Sequence, residues 1–143
     1  MGRRPRRDAI RAGGLILVDS SAWIEFLRRT GSPTNRRVVE VLRRDIATAD
    51  PVRMEVLAGA RDEAHLSELR RLLARASLLQ TESGDYERAA ALYRTCRRQG
   101  ETVRRLIDCL IAAVAIRNDV IVLHADTDFN VLARHTALRI DGG

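Results

Sequence analysis

Short apolar runs alternate with longer amphipathic segments along most of the chain. Continuous apolar runs of this length are typical of buried parallel strands, and apolar residues at helical spacing predict helices. Strands are predicted over residues 15–18, 46–49, 77–80 and 120–123, with a weaker edge strand over 137–140. Helices are predicted over residues 20–29, 34–44, 50–59, 62–76, 83–99, 104–117 and 129–134.

This alternation predicts an α/β fold, in which a central parallel sheet of four to five strands has helices on both faces. The segment 104–117 has almost no polar face, so we expect it to be a centrally buried helix. Asp50-Pro51 is typical of a helix start, and Gly100 is placed to end a helix.

Composition indicates one soluble domain. The chain has 143 residues, with 45% hydrophobic and 31% charged residues, and it contains no apolar stretch of the roughly 18 residues that a membrane span needs. We therefore expect a cytoplasmic protein with no membrane partner. Cys96 and Cys109 have no metal-ligand spacing around them, and they are predicted to be small buried side chains.

The positive charge is uneven along the chain. The net charge is +6, and five Arg and one Asp lie within residues 1–14. This basic segment is predicted to be a disordered leader, followed by one domain over residues 15–141. All 25 basic residues of the Lys and Arg class are Arg. The absence of Lys excludes a Walker A lysine and a Schiff-base lysine.

Four carboxylates lie where one predicted element gives way to the next: Asp19, Glu55, Asp108 and Asp126. Ligands of open α/β sheets bind beyond the carboxyl ends of the strands, so these acids could converge there if their strands are neighbours. A cluster of carboxylates repels itself unless a cation neutralises it. Mg²⁺ or Mn²⁺ suits an all-oxygen site, and it points to phosphoryl or phosphodiester chemistry.

A second interpretation gives each acid its own arginine. Glu55 could pair with Arg53 or Arg61, and Asp108 could pair with Arg104 one helical turn before it. Asp19 could act only as a helix cap, and Asp126 only as a turn residue. Each acid taken alone fits this interpretation, whereas their common placement favours a shared metal.

The flanking sequences LILVDSSAWIEF, PVRMEVLAGA, LIDCLIAAVAIR and VLHADTDFNVLARH are similar to those of PIN-domain ribonucleases. Within that family the chain resembles the VapC toxins of bacterial toxin–antitoxin pairs, over about residues 15–140. The resemblance implies a PIN-like three-layer sandwich. It also implies that the catalytic, metal-binding residues are Asp19, Glu55, Asp108 and Asp126, with Ser21 and Asp128 as accessory residues.

His124 departs from the family pattern, because many relatives have threonine at this position. Its imidazole is expected to be a strand-end side chain rather than a catalytic group, and its role is left open. For Asp128, taken alone, a role as a turn residue or helix cap is favoured over a role in the site.

The resemblance further implies an Mg²⁺-dependent endoribonuclease, with Mn²⁺ able to substitute, that acts on structured RNA such as tRNA. Its expected partners are a second copy of the chain and a cognate VapB-type antitoxin that covers the active site in a higher assembly. The helices over 20–29 and 34–44 are candidate docking surfaces for that antitoxin. The alternatives are a structure-specific DNA nuclease and a non-catalytic RNA-binding module. An Asp-nucleophile phosphatase is disfavoured, because Ser21 stands where it needs a second Asp.

Overall fold

The computed structural model describes residues 14–141, which form five strands and seven helices. The strands are β1 (Ile16–Val18), β2 (Ile46–Ala49), β3 (Ser77–Leu79), β4 (Ile121–Leu123) and β5 (Ile140–Asp141). The helices are α1 (Ser20–Leu27), α2 (Pro33–Val41), α3 (Asp50–Ala58), α4 (Glu63–Leu73), α5 (Ser83–Arg98), α6 (Leu106–Arg117) and α7 (Thr127–His135).

The strands form one parallel sheet in the order β3-β2-β1-β4-β5. The central strand β1 pairs Leu17 with Ala47 of β2 on one side and with Val122 of β4 on the other. Because all the strands run the same way, the carboxyl ends of β1, β2 and β4 meet at one edge of the sheet. The predicted parallel α/β fold is confirmed.

Both faces of the sheet are covered in its centre. Every residue of β1 and β2 is buried, which requires packing on both sides of the pleat. Helix α6 is also mostly buried, as its apolar sequence predicts, and it packs extensively against α5. Since α6 precedes β4 and crosses back over the sheet, its first turn lies at the carboxyl edge of the strands.

Several element boundaries differ from the prediction. Helix α6 begins at Leu106 rather than at 104, and α7 begins at Thr127 rather than at 129. Strand β5 comprises Ile140–Asp141 rather than 137–140. Asp50 is the first residue of α3 and does not cap it, because Ala49 holds the cap position without a side-chain hydrogen bond.

Cys96 and Cys109 are both free and buried, as predicted, and burial raises the pKa of the Cys109 thiol to about 12. Within residues 14–141, no helix combines the length and the apolar character needed to cross a bilayer. Residues 1–13 of the predicted basic leader lie outside the described residues.

Candidate metal centre

The pairing of β1 with β4 brings the first and last predicted acids to the same edge of the sheet. The Asp19 amide continues the ladder past the end of β1 and donates to the Leu123 carbonyl at 2.9 Å. The loop after β4 contains Asp126, which caps α7. The strands before Asp19 and Asp126 are therefore neighbours, which is the condition under which the acids could converge.

Asp19 both caps α1 and retains an unused oxygen. Its Oδ2 accepts hydrogen bonds from the Ser21 amide at 3.0 Å and from the Ser21 hydroxyl at 2.6 Å. Its Oδ1 is buried and has no hydrogen-bond partner. Burial raises the pKa of Asp19, the Ser21 hydrogen bonds oppose this effect, and the charge of Glu55 adds to it. A cap alone does not explain the free oxygen.

Ser21 connects the two loops that carry Asp19 and Asp126. Its hydroxyl donates to Asp19 and also accepts a hydrogen bond from the Ala125 amide at 2.9 Å. The side chain predicted as an accessory therefore lies between the β1–α1 and β4–α7 connections. It limits how far these two loops can move apart.

Glu55 reaches the same edge from α3, the helix that follows β2. It accepts a hydrogen bond from the Ser20 hydroxyl at 2.9 Å and forms an ion pair with Arg105. Neither Arg53 nor Arg61, the two partners considered from sequence, pairs with it among the described residues. The charge of Glu55 therefore acts on Asp19, although one Glu55 oxygen already contacts an arginine.

Asp108 lies in the first turn of α6 and is only 1% exposed. Its Oδ2 has no hydrogen-bond partner. Burial, a hydrogen bond with Asp128 and the charges of Asp19 and Asp126 raise the pKa of Asp108 to about 8, against a smaller opposing effect of Arg105. The anionic form of this carboxyl is therefore strongly disfavoured when no cation is bound.

The proposed Asp108–Arg104 pair is not formed. Since α6 begins only at Leu106, Arg104 lies outside the helix and its guanidinium instead contacts Asp126 at 3.1 Å and Asp128 at 3.3 Å. The separate-arginine interpretation is therefore wrong for Asp108.

Asp128 is buried and binds the backbone of the segment that leads into α6. Its Oδ1 accepts from the Arg104 amide at 3.2 Å, and its Oδ2 accepts from the Arg105 amide at 3.1 Å. Burial works to raise the pKa of Asp128, but these hydrogen bonds, together with those from Asp108 and the Arg104 side chain, lower it. Asp128 holds the backbone from which Asp108 projects.

Asp108, Asp126 and Asp128 each place one carboxylate oxygen within 4.8 Å of the others, close enough to share a cation. Both carboxylate oxygens of Asp128 accept hydrogen bonds from backbone amides, whereas Asp19 and Asp108 each have one buried oxygen without a hydrogen-bond partner. Asp19 and Asp126 are helix N-caps, and Asp108 and Asp128 lie in first turns, so all four are placed where the helix dipole favours negative charge. The donor set fits a hard divalent cation with oxygen ligands.

His124 is buried at the end of β4 and contributes to the local fold. Its Nδ1 accepts a hydrogen bond from the Asp126 amide at 3.2 Å, and its ring packs against Phe129 at a centroid distance of 5.2 Å. Burial lowers its pKa, which favours the neutral imidazole. These contacts agree with the expected structural role and fix the loop that presents Asp126.

Sequence reasoning missed the part played by Ser20, Arg104 and Arg105. The two adjacent arginines lie immediately before the buried helix α6. This position in the sequence is the one feature that could have indicated that they contact the acids near the start of that helix. Their hydrogen bonds reach Glu55, Asp126 and Asp128, which lie far away in sequence.

A groove of about 900 Å³ opens beside the cluster, between α1, α2, α3 and α4. Glu55 is among its lining residues, so the groove reaches the acidic site. Its other wall carries the exposed apolar side chains Ile24, Leu27 and Val39. The helices considered as docking surfaces therefore border a real concavity.

Comparison with known proteins agrees with this geometry. The PIN domain family model matches residues 16–135. Ribonuclease VapC11 of Mycobacterium tuberculosis is 43% identical over 129 residues, which cover 87% of this chain and 96% of that protein. The chain therefore belongs to the PIN-domain family and, within it, to the VapC ribonucleases.

Solved structures show the same fold. VapBC2 from Rickettsia felis, bound to a DNA fragment from its promoter, has a TM-score of 0.72 at 16% identity, over 89% of this chain and 97% of that chain. The M. tuberculosis toxin VapC20, which cleaves the sarcin–ricin loop, has a TM-score of 0.63 at 17% identity, over 87% and 98% of the two chains. The predicted PIN-like sandwich is confirmed.

Proposed function

We propose that this protein is the toxin of a type II toxin–antitoxin pair and hydrolyses phosphodiester bonds in RNA with the help of Mg²⁺ or Mn²⁺. Its curated relatives are named ribonucleases, and its structural neighbours include toxin–antitoxin complexes. The acidic cluster at the carboxyl edge of the sheet is the site that could perform this chemistry.

The observation that carries the proposal is the pair of unused buried oxygens on Asp19 and Asp108. A buried carboxylate oxygen without a partner costs free energy, on the order of 1–3 kcal/mol or more. The two acids are close enough for the charge of Asp19 to raise the pKa of Asp108. A divalent cation between them would satisfy both oxygens and remove their mutual repulsion.

Each acid then has a distinct role. Asp19, Asp108 and Asp126 would hold the cation, while Glu55 would bind a second cation or orient the attacking water. A cation bound there would lower the pKa of a bound water and offset the negative charge that develops on the scissile phosphate. Ser21 would hold the loops that carry Asp19 and Asp126 in position, and Asp128 would hold the start of α6, which carries Asp108.

The substrate we propose is structured RNA such as tRNA. Aromatic residues make up only 3% of the chain, which disfavours an extended base-stacking platform. Arginines are abundant and suit phosphate contacts, so recognition would rest on backbone shape and a few specific contacts.

The groove beside the cluster suits a VapB-type antitoxin segment. Its exposed apolar residues Ile24, Leu27 and Val39 could receive an amphipathic segment, and its opening next to Glu55 would let that segment cover the acids. We also propose that the toxin forms a homodimer and assembles further with the antitoxin.

The test is cleavage of total tRNA by purified protein with Mn²⁺ or Mg²⁺, then with chelator. Wild type and Asp108→Asn are compared with Asp45→Asn, an exposed acid outside the cluster. We expect wild type and the Asp45 variant to cut only with metal, and the Asp108 variant not to cut. Equal cutting by all three proteins would remove the metal-carboxylate mechanism.

The same assay separates the alternative functions. Cleavage of matched DNA in preference to RNA would favour the DNA nuclease. Tight RNA binding by wild type without any cleavage would favour the binding module. Expression in a bacterial host supplies a second readout, because a toxin should arrest growth and the Asp108 variant should not.

A further inference from the structure

Arg105 is held at the mouth of the acidic cluster by its backbone, while its side chain remains half exposed. It occupies the cap position of α6, and its amide donates to the Asp128 carboxylate at 3.1 Å. Its side chain is 48% exposed, and the guanidinium extends to Glu55. The fixed backbone and the accessible charged end allow this group to change partners without movement of the helix.

The neighbouring Arg104 has a different set of contacts. Its guanidinium contacts Asp126, Thr127 and Asp128 together, which ties the start of α6 to the start of α7. Within residues 14–141, the guanidinium of Arg105 has hydrogen-bond contact with Glu55 alone. Arg104 therefore connects elements, whereas Arg105 neutralises one acid that belongs to the site.

A cation in the acidic cluster would weaken the attraction of Arg105 to Glu55. The charges of Asp108 and Asp126 also act on Arg105, so a cation that neutralises them removes part of what holds the guanidinium there. Like charge then repels it from the same carboxylates. The planar guanidinium suits bidentate contact with a phosphate, and a cluster of acids otherwise repels RNA.

Building on the proposed nuclease function, we propose that Arg105 exchanges partners during the reaction cycle. It acts as the counter-ion of Glu55 in the free protein and as a ligand of the RNA phosphate once a cation occupies the site. This residue competes with the cation for Glu55 and cooperates with it in holding the substrate.

The proposal predicts opposite effects on metal binding and on RNA cleavage. Arg105→Gln removes the competing charge, so we expect Mn²⁺ alone to bind about three- to tenfold more tightly, as measured by titration calorimetry without RNA. With saturating Mn²⁺ and total tRNA, we expect kcat/KM to fall at least about tenfold. Arg105→Lys should keep the wild-type Mn²⁺ affinity and recover only part of the cleavage.

Arg71→Gln is the matched control, since Arg71 is an exposed arginine of α4 outside the cluster. It loses the same charge and should change neither Mn²⁺ affinity nor kcat/KM by more than about twofold. Thermal unfolding of each variant verifies that it is folded.

Unchanged or weaker Mn²⁺ binding by Arg105→Gln would overturn the counter-ion role. Normal cleavage by the same variant would overturn the phosphate role. If wild type binds Mn²⁺ but cuts no RNA, the proposed function fails and the phosphate role fails with it, while the Mn²⁺ titration still decides the competition at Glu55.

Discussion

Two aspartates of this chain, Asp85 and Asp108, are buried to the same extent in opposite electrostatic surroundings. Asp85 at the start of α5 is 0% exposed and accepts hydrogen bonds from Arg88 and from both Nε and Nη2 of Arg117. Burial alone would raise its pKa, but these arginines and the Glu82 amide lower it to about 2. Asp108 has no such arginine, and its pKa is raised to about 8.

The difference distinguishes a buried carboxylate that the chain itself neutralises from one that it does not neutralise. Around Asp85 the chain provides its own positive charges and satisfies the buried group, as a stable ion-pair network requires. Around Asp108 it gathers further acids and leaves an oxygen without a partner. A natural protein keeps such an arrangement where a ligand from outside supplies the missing charge.

The largest expected effect comes from Asp108→Asn. Loss of a ligand and of its charge should reduce RNA cleavage at least about a hundredfold. In chelator at pH 7, the same variant should be more stable than wild type by up to about 4 kcal/mol, because the Asp108 carboxyl is ionised in the unfolded chain and must take up a proton when wild type folds. Cleavage assays and denaturant unfolding check the two results. A variant that is both inactive and less stable would contradict the contrast with Asp85.

Asp85→Asn should give the reverse pattern. It leaves Arg117 and Arg88 without their carboxylate, so we expect a loss of about 2–3 kcal/mol in the free energy of unfolding. Cleavage per folded molecule should remain within about twofold of wild type, because no acid of the cluster contacts this network. Urea unfolding measures the free energy of unfolding, and cleavage rates divided by the concentration of folded protein measure the specific activity. A large loss of specific activity would mean that the two regions are coupled.

The two carboxylates should also act in different pH windows. The lowered pKa of Asp85 gives stability that is present above about pH 4 and is lost as pH falls towards 2. The raised pKa of Asp108 acts in the opposite sense, since in chelator its cost grows from about pH 4 to about pH 8. The free energy of unfolding should depend less steeply on pH than in wild type between about pH 2 and pH 4 for Asp85→Asn, and between about pH 4 and pH 8 for Asp108→Asn. Identical curves for both variants would refute the assignment.

The smallest expected effects come from the neighbours of the two acids. Ser21→Ala removes the hydroxyl that joins Asp19 to Ala125, and we expect about 1 kcal/mol of lost stability and a severalfold loss of cleavage. Arg88→Gln removes a half-exposed partner of Asp85 and should cost at most about 1 kcal/mol without affecting cleavage. Unfolding and cleavage assays on both variants test whether only Ser21→Ala lowers the rate of RNA cleavage.

The order of elements could be predicted from sequence because it depends on local patterns. The apolar runs before Asp19 and His124 are strands of a parallel sheet, as predicted. Their adjacency was only a condition in the sequence argument, because alternating elements do not determine the order of strands in a sheet. The sequence also indicated that Asp19 and Asp108 lie at or near helix starts and are buried, whereas their binding of a cation stays a prediction.

The contacts of Arg104, Arg105 and Asp128 could not be predicted in the same way. The sequence indicates an accessory or turn role for Asp128, but its hydrogen bonds to the backbone before α6 span 24 and 23 residues in sequence and depend on tertiary packing. Helical periodicity suggested that Arg104 was inside α6, which favoured a local pair with Asp108. The amides of residues 104 and 105 instead donate to the Asp128 carboxylate, and both residues lie outside the helix.

The hydrogen bond between Ser21 and Ala125 joins positions 104 residues apart in sequence. A nascent chain therefore cannot join these two loops until the residues through Ala125 have left the ribosome, more than a hundred residues after Ser21. A product that stops before β4 would lack both a neighbour for β1 and one of the acids. We therefore expect a fragment released by premature termination before β4 to be unable to assemble the acidic site.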